Sequence, residues 1–359
     1  MSEVEELSIC ETAYEASNIV PLPTANAKRN RVGDELQPTG VYAHIDPFYR
    51  ISQDLEIVQE HEVTDPEFKS KDWWWNHQKI RFLNEKVGLK ILLLALPFAW
   101  VLFLWFSVPV AITQVLAHWL HGSSVSDSVY LFILFLGVGV GFAWIIFAIW
   151  ITPCTTNWLM STGVAFFLKP FEKTLERKFD RALKEGCSEF NRLTGDVRFA
   201  MGRKRFFEAP FVEFDAYVER VIQHGGIFYR LMFVHRYTQK TFNQTWLSGI
   251  EASKNEVLAL WDMLQRYMDV SEPLPDVPRL EPFRHLDPVT RQHDIETNRN
   301  PRYWRDLDLE AWKAGEGAEM LRRQNQYPWA SRECKLTPQL GKASMADYRK
   351  VRPAEAWPI

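Results

Sequence analysis

Residues 91–113 read ILLLALPFAWVLFLWFSVPVAIT, and residues 130–151 read YLFILFLGVGVGFAWIIFAIWI. These runs of 23 and 22 residues lie in a stretch of 78 residues, from 91 to 168, that carries a single formal charge, Asp127. A soluble domain needs charged residues at its surface, whereas a helix of about 20 apolar residues crosses a hydrocarbon core about 30 Å thick. The sequence therefore predicts a membrane protein with a two-helix transmembrane hairpin, whose spans are residues 91–113 and 130–151.

Basic residues flank the predicted hairpin on both outer sides and are missing between its spans. Six Lys or Arg precede span 1 within residues 69–90, six follow span 2 within residues 169–184, and residues 114–129 contain none. Because basic loops stay in the cytoplasm, we expect residues 114–129 to form the external loop and both termini to be cytoplasmic. The first 30 residues have no apolar core of a cleavable signal peptide, so span 1 is expected to direct insertion.

Charge and cysteine content limit the partners. Residues 1–68 hold 14 acidic and four basic residues, a balance of −10, which disfavours binding to nucleic acid. The cysteines show no metal-binding spacing, and a reducing cytoplasm keeps such thiols free: Cys10, Cys154, Cys187 and Cys334. We expect no metal, no cofactor and no nucleic-acid partner, and the lipid bilayer is the first partner that the composition predicts.

The sequence outside the spans divides by composition. Residues 1–68 are predicted to be an acidic, weakly ordered arm, and residues 69–90 a juxtamembrane helix. Residues 186–270 predict a cytoplasmic α+β domain, and residues 271–359 a Pro- and Arg-rich C-terminal extension that packs over it, with one helix at 308–324. Tryptophans beside the spans are expected to form an aromatic belt at the headgroup level: Trp73, Trp74, Trp75, Trp119, Trp150 and Trp158.

Two hairpin signals and a terminal helix predict the α+β domain. Residues 194–195 join strands at 188–192 and 196–201, and residues 238–240 join strands at 227–237 and 241–247. Residues 214–223 between them look helical. Ser253 and Glu256 form a capping box before an apolar stripe: Val257, Leu260, Trp261, Leu264, Tyr267 and Met268. Antiparallel strands closed by an amphipathic helix indicate an α+β fold, and a pleckstrin-homology-like half-barrel is one arrangement that fits.

Two sets of residues are candidate binding sites, each with a plainer structural explanation. Gly137 and Gly141 form a small-xxx-small pair, which serves either packing within the hairpin or association of second spans in a homo-oligomer. Arg203, Lys204 and Arg205 form a basic turn, which either binds anionic lipid headgroups or is simply solvated.

Histidines near acidic residues are the candidates for chemistry. His224 and His235 lie close in sequence to Glu213, Asp215 and Glu219, but their spacing matches no metal or catalytic motif. His235 lies in a strand with apolar neighbours, which favours a buried, hydrogen-bonded histidine.

The predicted spans themselves offer little chemistry. His118 and His121 at the outer edge of span 1 are interpreted as interfacial helix residues, because two ligands do not complete a metal site. Neither span contains Asp, Glu, Lys or Arg, which argues against a transporter or channel. These features favour a binding protein over an enzyme.

Four stretches outside the spans are distinctive. They are residues 208–217, EAPFVEFDAY; 225–236, GGIFYRLMFVHR; 280–288, LEPFRHLDP; and 300–305, NPRYWR. Together they resemble a family of two-span inner-membrane proteins of proteobacteria that carries a domain of unknown function. The resemblance covers roughly residues 70–359, and its motifs contain no catalytic residue that can be transferred.

The resemblance implies a function, because members of this family resemble genes found beside type VI secretion clusters, near pore-forming, colicin-like effectors. It implies a bacterial inner-membrane immunity or accessory protein, with the effector or another secretion-associated protein as partner. Two other classes stay open. One is a membrane-tethered scaffold whose cytoplasmic domain binds anionic lipid or a protein through Arg203, Lys204 and Arg205. The other is an enzyme at the membrane surface, with His224 and His235 in its site.

Overall fold

The computed structural model describes residues 9–24, 33–70, 73–83, 89–121, 126–158, 187–202, 205–243, 247 and 249–351. The chain divides into two compact units. The helical unit is Lys86–Leu183, and the α+β unit combines Met1–Glu85 with Lys184–Ile359. The helical unit is therefore an insertion within the sequence of the α+β unit.

The helices and strands follow one another in this order: β1 (Glu35–Gln37), α1 (Phe48–Thr64), β2 (Lys79–Leu83), α2 (Leu89–His121), α3 (Asp127–Trp158), β3 (Cys187–Asn191), β4 (Asp196–Gly202), β5 (Arg205–Pro210), β6 (Phe214–Gln223), β7 (Gly226–His235), β8 (Thr241–Asn243), α4 (Lys254–Met268), α5 (Pro288–Glu296), α6 (Leu309–Ala314), α7 (Glu316–Gln326) and α8 (Met345–Val351). Short 3-10 helices lie at Phe211–Glu213, Pro278–Leu286, Trp329–Ser331 and Thr337–Gln339.

The helical unit contains α2 and α3, which by length and composition are able to cross a membrane, as predicted. The indole N–H of Trp105 donates to Thr152 Oγ1 at 3.1 Å, and that of Trp144 donates to the Leu104 carbonyl at 2.9 Å. The two helices therefore contact each other directly. Both continue into the loop predicted at 114–129, because α2 ends at His121 and α3 begins at Asp127.

The α+β unit contains two antiparallel four-stranded sheets, with strand orders β2-β3-β4-β5 and β1-β6-β7-β8. The predicted hairpins are confirmed: β3 pairs with β4, with Phe190 opposite Val197, and β7 pairs with β8. Gly195 turns the first hairpin at φ +75°, and a Cβ there would lie 2.5 Å from the Thr12 carbonyl oxygen. Only glycine fits that turn without a backbone shift.

The helical unit is inserted between two neighbouring strands of the first sheet. Strand β2 pairs with β3 in antiparallel register, and its last residue, Leu83, lies opposite the first residue of β3, Cys187. The chain therefore leaves the α+β unit and re-enters it at adjacent positions on one sheet.

Aromatic side chains fill the space between the two sheets. The rings of Phe199 and Phe242 stack with centroids 4.4 Å apart, and Phe190 contacts Phe233 at 5.5 Å. Trp261 of α4 extends this core by contacting Phe233 at 5.9 Å. Each fully buried ring of this kind stabilises the fold by about 1.5–3 kcal/mol relative to exposure.

Helix α4 is the predicted terminal helix, and 13 of its 15 residues are buried. Its polar side chains bind the backbone of the chain that precedes α1: Gln265 Oε1 accepts from the Gly40 amide at 2.7 Å, and Asp262 accepts from the Ile45 amide at 3.0 Å. The capping box is wrong, because the Ser253 side chain makes no cap hydrogen bond. Glu256 instead accepts from the Arg50 amide in the first turn of α1.

Three predictions about residues before the spans are wrong. The arm predicted to be weakly ordered contains β1 and α1, whose Ile51 and Leu55 lie in the core. The predicted juxtamembrane helix at 69–90 is replaced over Lys79–Leu83 by β2, because alternating residues Ile80 and Phe82 enter the core. Trp73 and Trp75 are also buried in the α+β unit and thus form no aromatic belt.

The boundaries predicted after the spans are wrong as well. Residues 214–223 form β6 and no helix, since Phe214, Ala216 and Val218 alternate into the core. The domain predicted at 186–270 is too short, because residues on both sides of it contribute core side chains. The C-terminal extension does pack on the domain, through Trp304 and Trp312, but its predicted helix at 308–324 is two helices that meet at Gly315.

A buried arginine links these parts. Arg192, directly after β3, is 1% exposed. Its guanidinium donates to the carbonyl oxygens of Asp269 and Glu272, both at 2.8 Å, where α4 ends. Its Nε lies 3.4 Å from Asp287 Oδ1 at the start of α5. The last carbonyls of a helix have no partner within it and carry partial negative charge, so this cation satisfies them and ties β3 to α4 and α5.

We predict that Arg192→Met lowers the free energy of unfolding by about 3–5 kcal/mol, because Asp287 and the carbonyls at the end of α4 lose a buried cation. Arg198→Met is the control: this side chain is 35% exposed and lies 3.6 Å from Glu189, a geometry that contributes about 0–1 kcal/mol. Thermal unfolding of the full chain in detergent, followed by circular dichroism, checks both. Equal losses for the two variants would contradict the role of Arg192.

Candidate functional site

The surface of α2 and α3 carries a groove of about 760 Å³. Its lining is apolar except for two hydroxyl-bearing side chains: Pro109, Ile112, Thr113, Leu116, Tyr130, Leu134, Gly137, Val138, Gly141, Phe142 and Ile145. The walls therefore offer packing contacts and almost no polar recognition, which suits an apolar helix or a lipid chain.

The two predicted helix-packing glycines have different environments. A Cβ on Gly137 would lie 2.4 Å from Leu116 Cδ1 and 3.6 Å from Ile112 Cγ2, so this glycine permits close packing of α2 against α3. A Cβ on Gly141 would meet none of the described atoms within 4 Å. Packing within the helical unit therefore explains Gly137, whereas Gly141 lines the open groove.

The predicted basic turn joins β4 to β5. Arg203 and Lys204 lie outside the described residues, and Arg205 is exposed at the start of β5. A third cation lies nearby, since the guanidinium of Arg198 is 4.9 Å from the ring centroid of Phe206. The exposed position of Arg205 leaves headgroup binding as a prediction.

His235 belongs to a fully buried polar cluster. Its Nε2 lies 2.6 Å from Glu213 Oε2, and its Nδ1 lies 2.9 Å from Thr238 Oγ1. Glu213 also accepts a hydrogen bond from the Tyr348 hydroxyl of α8 at 2.5 Å. Both His235 and Glu213 have no exposed side-chain surface. A group without exposed surface cannot reach a substrate, so the cluster holds the fold together, as expected for His235.

The structure does not bring the other residues of this predicted group to His235. His224 is exposed in the turn before β7, whereas His235 ends that ten-residue strand, about 30 Å away at about 3.3 Å per residue. Asp215 pairs with Arg236 at 2.6 Å. Glu219 forms its ion pair with Arg230. The acid–base site around both histidines is therefore not formed.

A different set of side chains that sequence reasoning missed has the composition of a catalytic triad. Ser70 Oγ lies 3.3 Å and Asp65 Oδ2 3.5 Å from His61 Nε2. A relay needs the acid and the nucleophile on opposite ring nitrogens. Because both groups face the same nitrogen, and Asp65 also accepts from the Ser70 amide at 2.7 Å, the arrangement closes the chain after α1 and performs no relay.

Other titratable groups are explained by burial and pairing. Burial lowers the pKa of His77 to about 4, and Arg192 and His285 act in the same direction. A cavity of about 500 Å³ near α5 is lined by arginines that are already paired, such as Arg284 with Asp294 at 2.6 Å and Arg299 with Asp276 at 2.7 Å. These pairs fold the C-terminal segment.

The remaining predicted residues form no site among the described positions. His118 is exposed on α2, and the side chain of His121 lies outside the described residues. No group of three His, Cys, Asp or Glu side chains in the described part of the chain is placed to hold a metal ion, and all four cysteines are free.

Sequence reasoning also missed an apolar tip on the β6–β7 hairpin. Ile222 and Ile227 form a cross-strand pair there and are 73% and 50% exposed. The signal was present: Gly225 and Gly226 form a turn between apolar residues, a hairpin pattern that competes with the helical interpretation.

This chain matches no family model, no curated protein and no solved structure. The resemblance to the two-span family therefore stays an expectation.

We predict that Gly137→Ile destabilises the helical unit and that Gly141→Ile does not. The first side chain must displace Leu116 and approach Ile112, whereas the second enters open space. Overpacking of this kind costs about 1–3 kcal/mol. Hydrogen exchange of α2 and α3 in detergent is the measurement, with faster exchange expected for Gly137→Ile alone. The same result for both variants would contradict the assignment of Gly137 to internal packing.

Proposed function

We propose that this protein is a two-span integral protein of the bacterial inner membrane, in which α2 and α3 form a transmembrane hairpin and the α+β unit is cytoplasmic. The observation that carries the proposal is the insertion of two long apolar helices between the paired ends of β2 and β3. A chain that leaves and re-enters one sheet at adjacent positions must cross a bilayer an even number of times.

The exposed side chains of α2 and α3 support this proposal. Six large apolar residues of these helices are each more than half exposed: Phe98, Phe103, Phe135, Phe142, Ile146 and Trp150. Water is an unfavourable environment for so much apolar surface, whereas lipid matches it. The twelve basic residues that flank the helices in sequence support a cytoplasmic location for both ends.

The strand order supports a pleckstrin-homology-like arrangement of the α+β unit. Strands β2 to β5 form one meander, β6 to β8 form a second, and α4 follows them in sequence. Strand β1 adds an edge to the second sheet. Within this proposal the helical unit occupies the first hairpin connection of the half-barrel.

The protein acts by binding rather than by catalysis, and its target is a membrane-targeting type VI secretion effector, against which it serves as an immunity or accessory protein. The groove that Gly141 lines supports this target, because an effector that perforates the membrane presents apolar helices there. The resemblance to the two-span family supports it independently. Burial of His235 and Glu213 favours binding over catalysis at that cluster.

The proposed topology predicts the reactivity of two positions in intact bacteria. Cys10 is exposed in the α+β unit, and a membrane-impermeant maleimide is expected to modify it only after the cells are permeabilised. A Ser124→Cys variant, placed in the predicted external loop, is expected to react in intact cells. Mass spectrometry of the labelled peptides reads both sites. Labelling of Cys10 in intact cells would contradict a cytoplasmic α+β unit.

Protection against an effector tests the binding function. Sensitive cells that express the full chain are expected to survive a colicin-like pore-forming effector directed to their periplasm and to keep their membrane potential. Gly141→Ile fills the groove and should abolish survival. Gly139→Ile is the matched control, since Gly139 also has open space around it but does not line the groove. Killing of cells that contain the correctly inserted protein would overturn the immunity function.

A second candidate function is a membrane-tethered scaffold that binds anionic lipid or a protein partner, and the exposed Arg205 at the β4–β5 turn favours it. Neutralising Arg203, Lys204 and Arg205 separates the two functions. Loss of binding to anionic liposomes with unchanged survival would favour the scaffold. If Gly141→Ile converts an oligomer into a monomer, the groove is filled by a second copy of the chain.

A further inference from the structure

The hairpin of β6 and β7 extends beyond the sheet to which it belongs. The two strands pair over ten residues each, from Phe214 opposite His235 to Gln223 opposite Gly226. Strand β1 reaches only as far as Val218, and β8 pairs only with residues 232–234. Beyond these neighbours, the described residues 219–223 and 226–228 pair only with each other, as a two-stranded ribbon about 17 Å long at about 3.4 Å per residue.

The tip of this ribbon is uncharged and apolar on both faces. Residues 221–229 read VIQHGGIFY and contain no Asp, Glu, Lys or Arg. Opposed residues share a face in an antiparallel pair and neighbours alternate, so Ile222 and Ile227 occupy one face, while Val221 and Phe228 occupy the other. A protein partner covers one face of a ribbon, whereas a lipid layer surrounds it, so this pattern favours lipid.

Charged and amphipathic residues mark the lower boundary of the apolar tip. Glu219 and Arg230 form an ion pair across the ribbon, and Arg220 lies opposite Tyr229. Tyrosine and arginine are residues that hold a segment at the headgroup level, with apolar residues on one side and water on the other. The two apolar pairs extend over about 7 Å, comparable with the 5–10 Å to which interfacial elements sink.

We propose that this ribbon tip inserts into the cytoplasmic leaflet of the bilayer that holds the protein's own spans, and so forms a second, shallow membrane contact. The inference rests on the proposed two-span topology. Residues 84–88, between Leu83 and α2, are a tether of at most about 18 Å, so the α+β unit remains within reach of that bilayer. A two-stranded ribbon is marginal in water, and lipid around the tip removes its exposed apolar surface.

Site-specific photo-crosslinking of the full chain in phospholipid nanodiscs tests the proposal. Benzoylphenylalanine replaces one residue at a time: Ile222 or Ile227 at the tip, Phe142 in α3 as the positive control, and Ile295 of α5 as the matched control. Ile295 is an isoleucine of the α+β unit that is 69% exposed. After illumination, mass spectrometry is expected to find peptides shifted by the mass of one phospholipid at positions 222, 227 and 142, with loss of that shift at 295.

The outcomes separate this inference from the topology on which it rests. Lipid adducts at 142 without adducts at 222 and 227 would overturn the ribbon contact and leave the two spans intact. Absence of adducts at 142 as well would overturn the two-span topology itself. Equal lipid adducts at 222 and 295 would overturn specific insertion, as would a crosslink from 222 or 227 to a second copy of the chain in place of lipid.

Discussion

The pairing of β2 with β3 is the constraint on which the rest of this structure depends. It joins Leu83 to Cys187 across 103 intervening residues, and these include both long apolar helices. Sheet hydrogen bonding thus fixes where the inserted segment begins and ends. Arg192 follows β3 directly and extends this constraint to α4 and α5, because its guanidinium satisfies carbonyls at the end of one helix and faces a carboxylate at the start of the other.

Helix α4 organises the α+β unit because it is buried on nearly every side. Its apolar face packs on the aromatic core through Trp261, and its polar face satisfies backbone amides of the segment before α1. Gln324 of α7 donates to Glu256 at 2.8 Å and accepts from the Phe48 amide at 3.2 Å, so two helices jointly cap the start of α1. Unsatisfied amides are costly when buried, which explains why polar residues occupy the interior here.

Local patterns in the sequence predicted local structure well. The apolar runs predicted α2 and α3, the glycine turn at 195 predicted β3 and β4, and the apolar stripe predicted α4. Predictions failed where the partner is distant in sequence: β2 looked helical because its partner β3 follows the insertion. Residues 1–68 looked weakly ordered because the caps of α1, Glu256 and Gln324, lie about 200 residues further on. Gly141 was predicted as a groove residue, while the exposed tip at Ile222 depended on recognising β6.

The order of the sequence has a consequence for folding. Strand β1 pairs with β6, and β2 pairs with β3, so the described elements before α2 gain their strand partners only after both long helices have been synthesised. Contacts of Trp105 with Thr152 and of Leu116 with Gly137 run in opposite directions along α2 and α3, which brings Leu89 and Trp158 to the same end of the pair. Once the two helices pair, the loop between β2 and β3 shortens from 103 residues to 33, the sum of 5 (84–88) and 28 (159–186). Because closure entropy scales with the logarithm of loop length, this shortening lowers its cost by about 1 kcal/mol. Pairing of the helices therefore favours closure of the first sheet, and membrane insertion and folding of the α+β unit support each other.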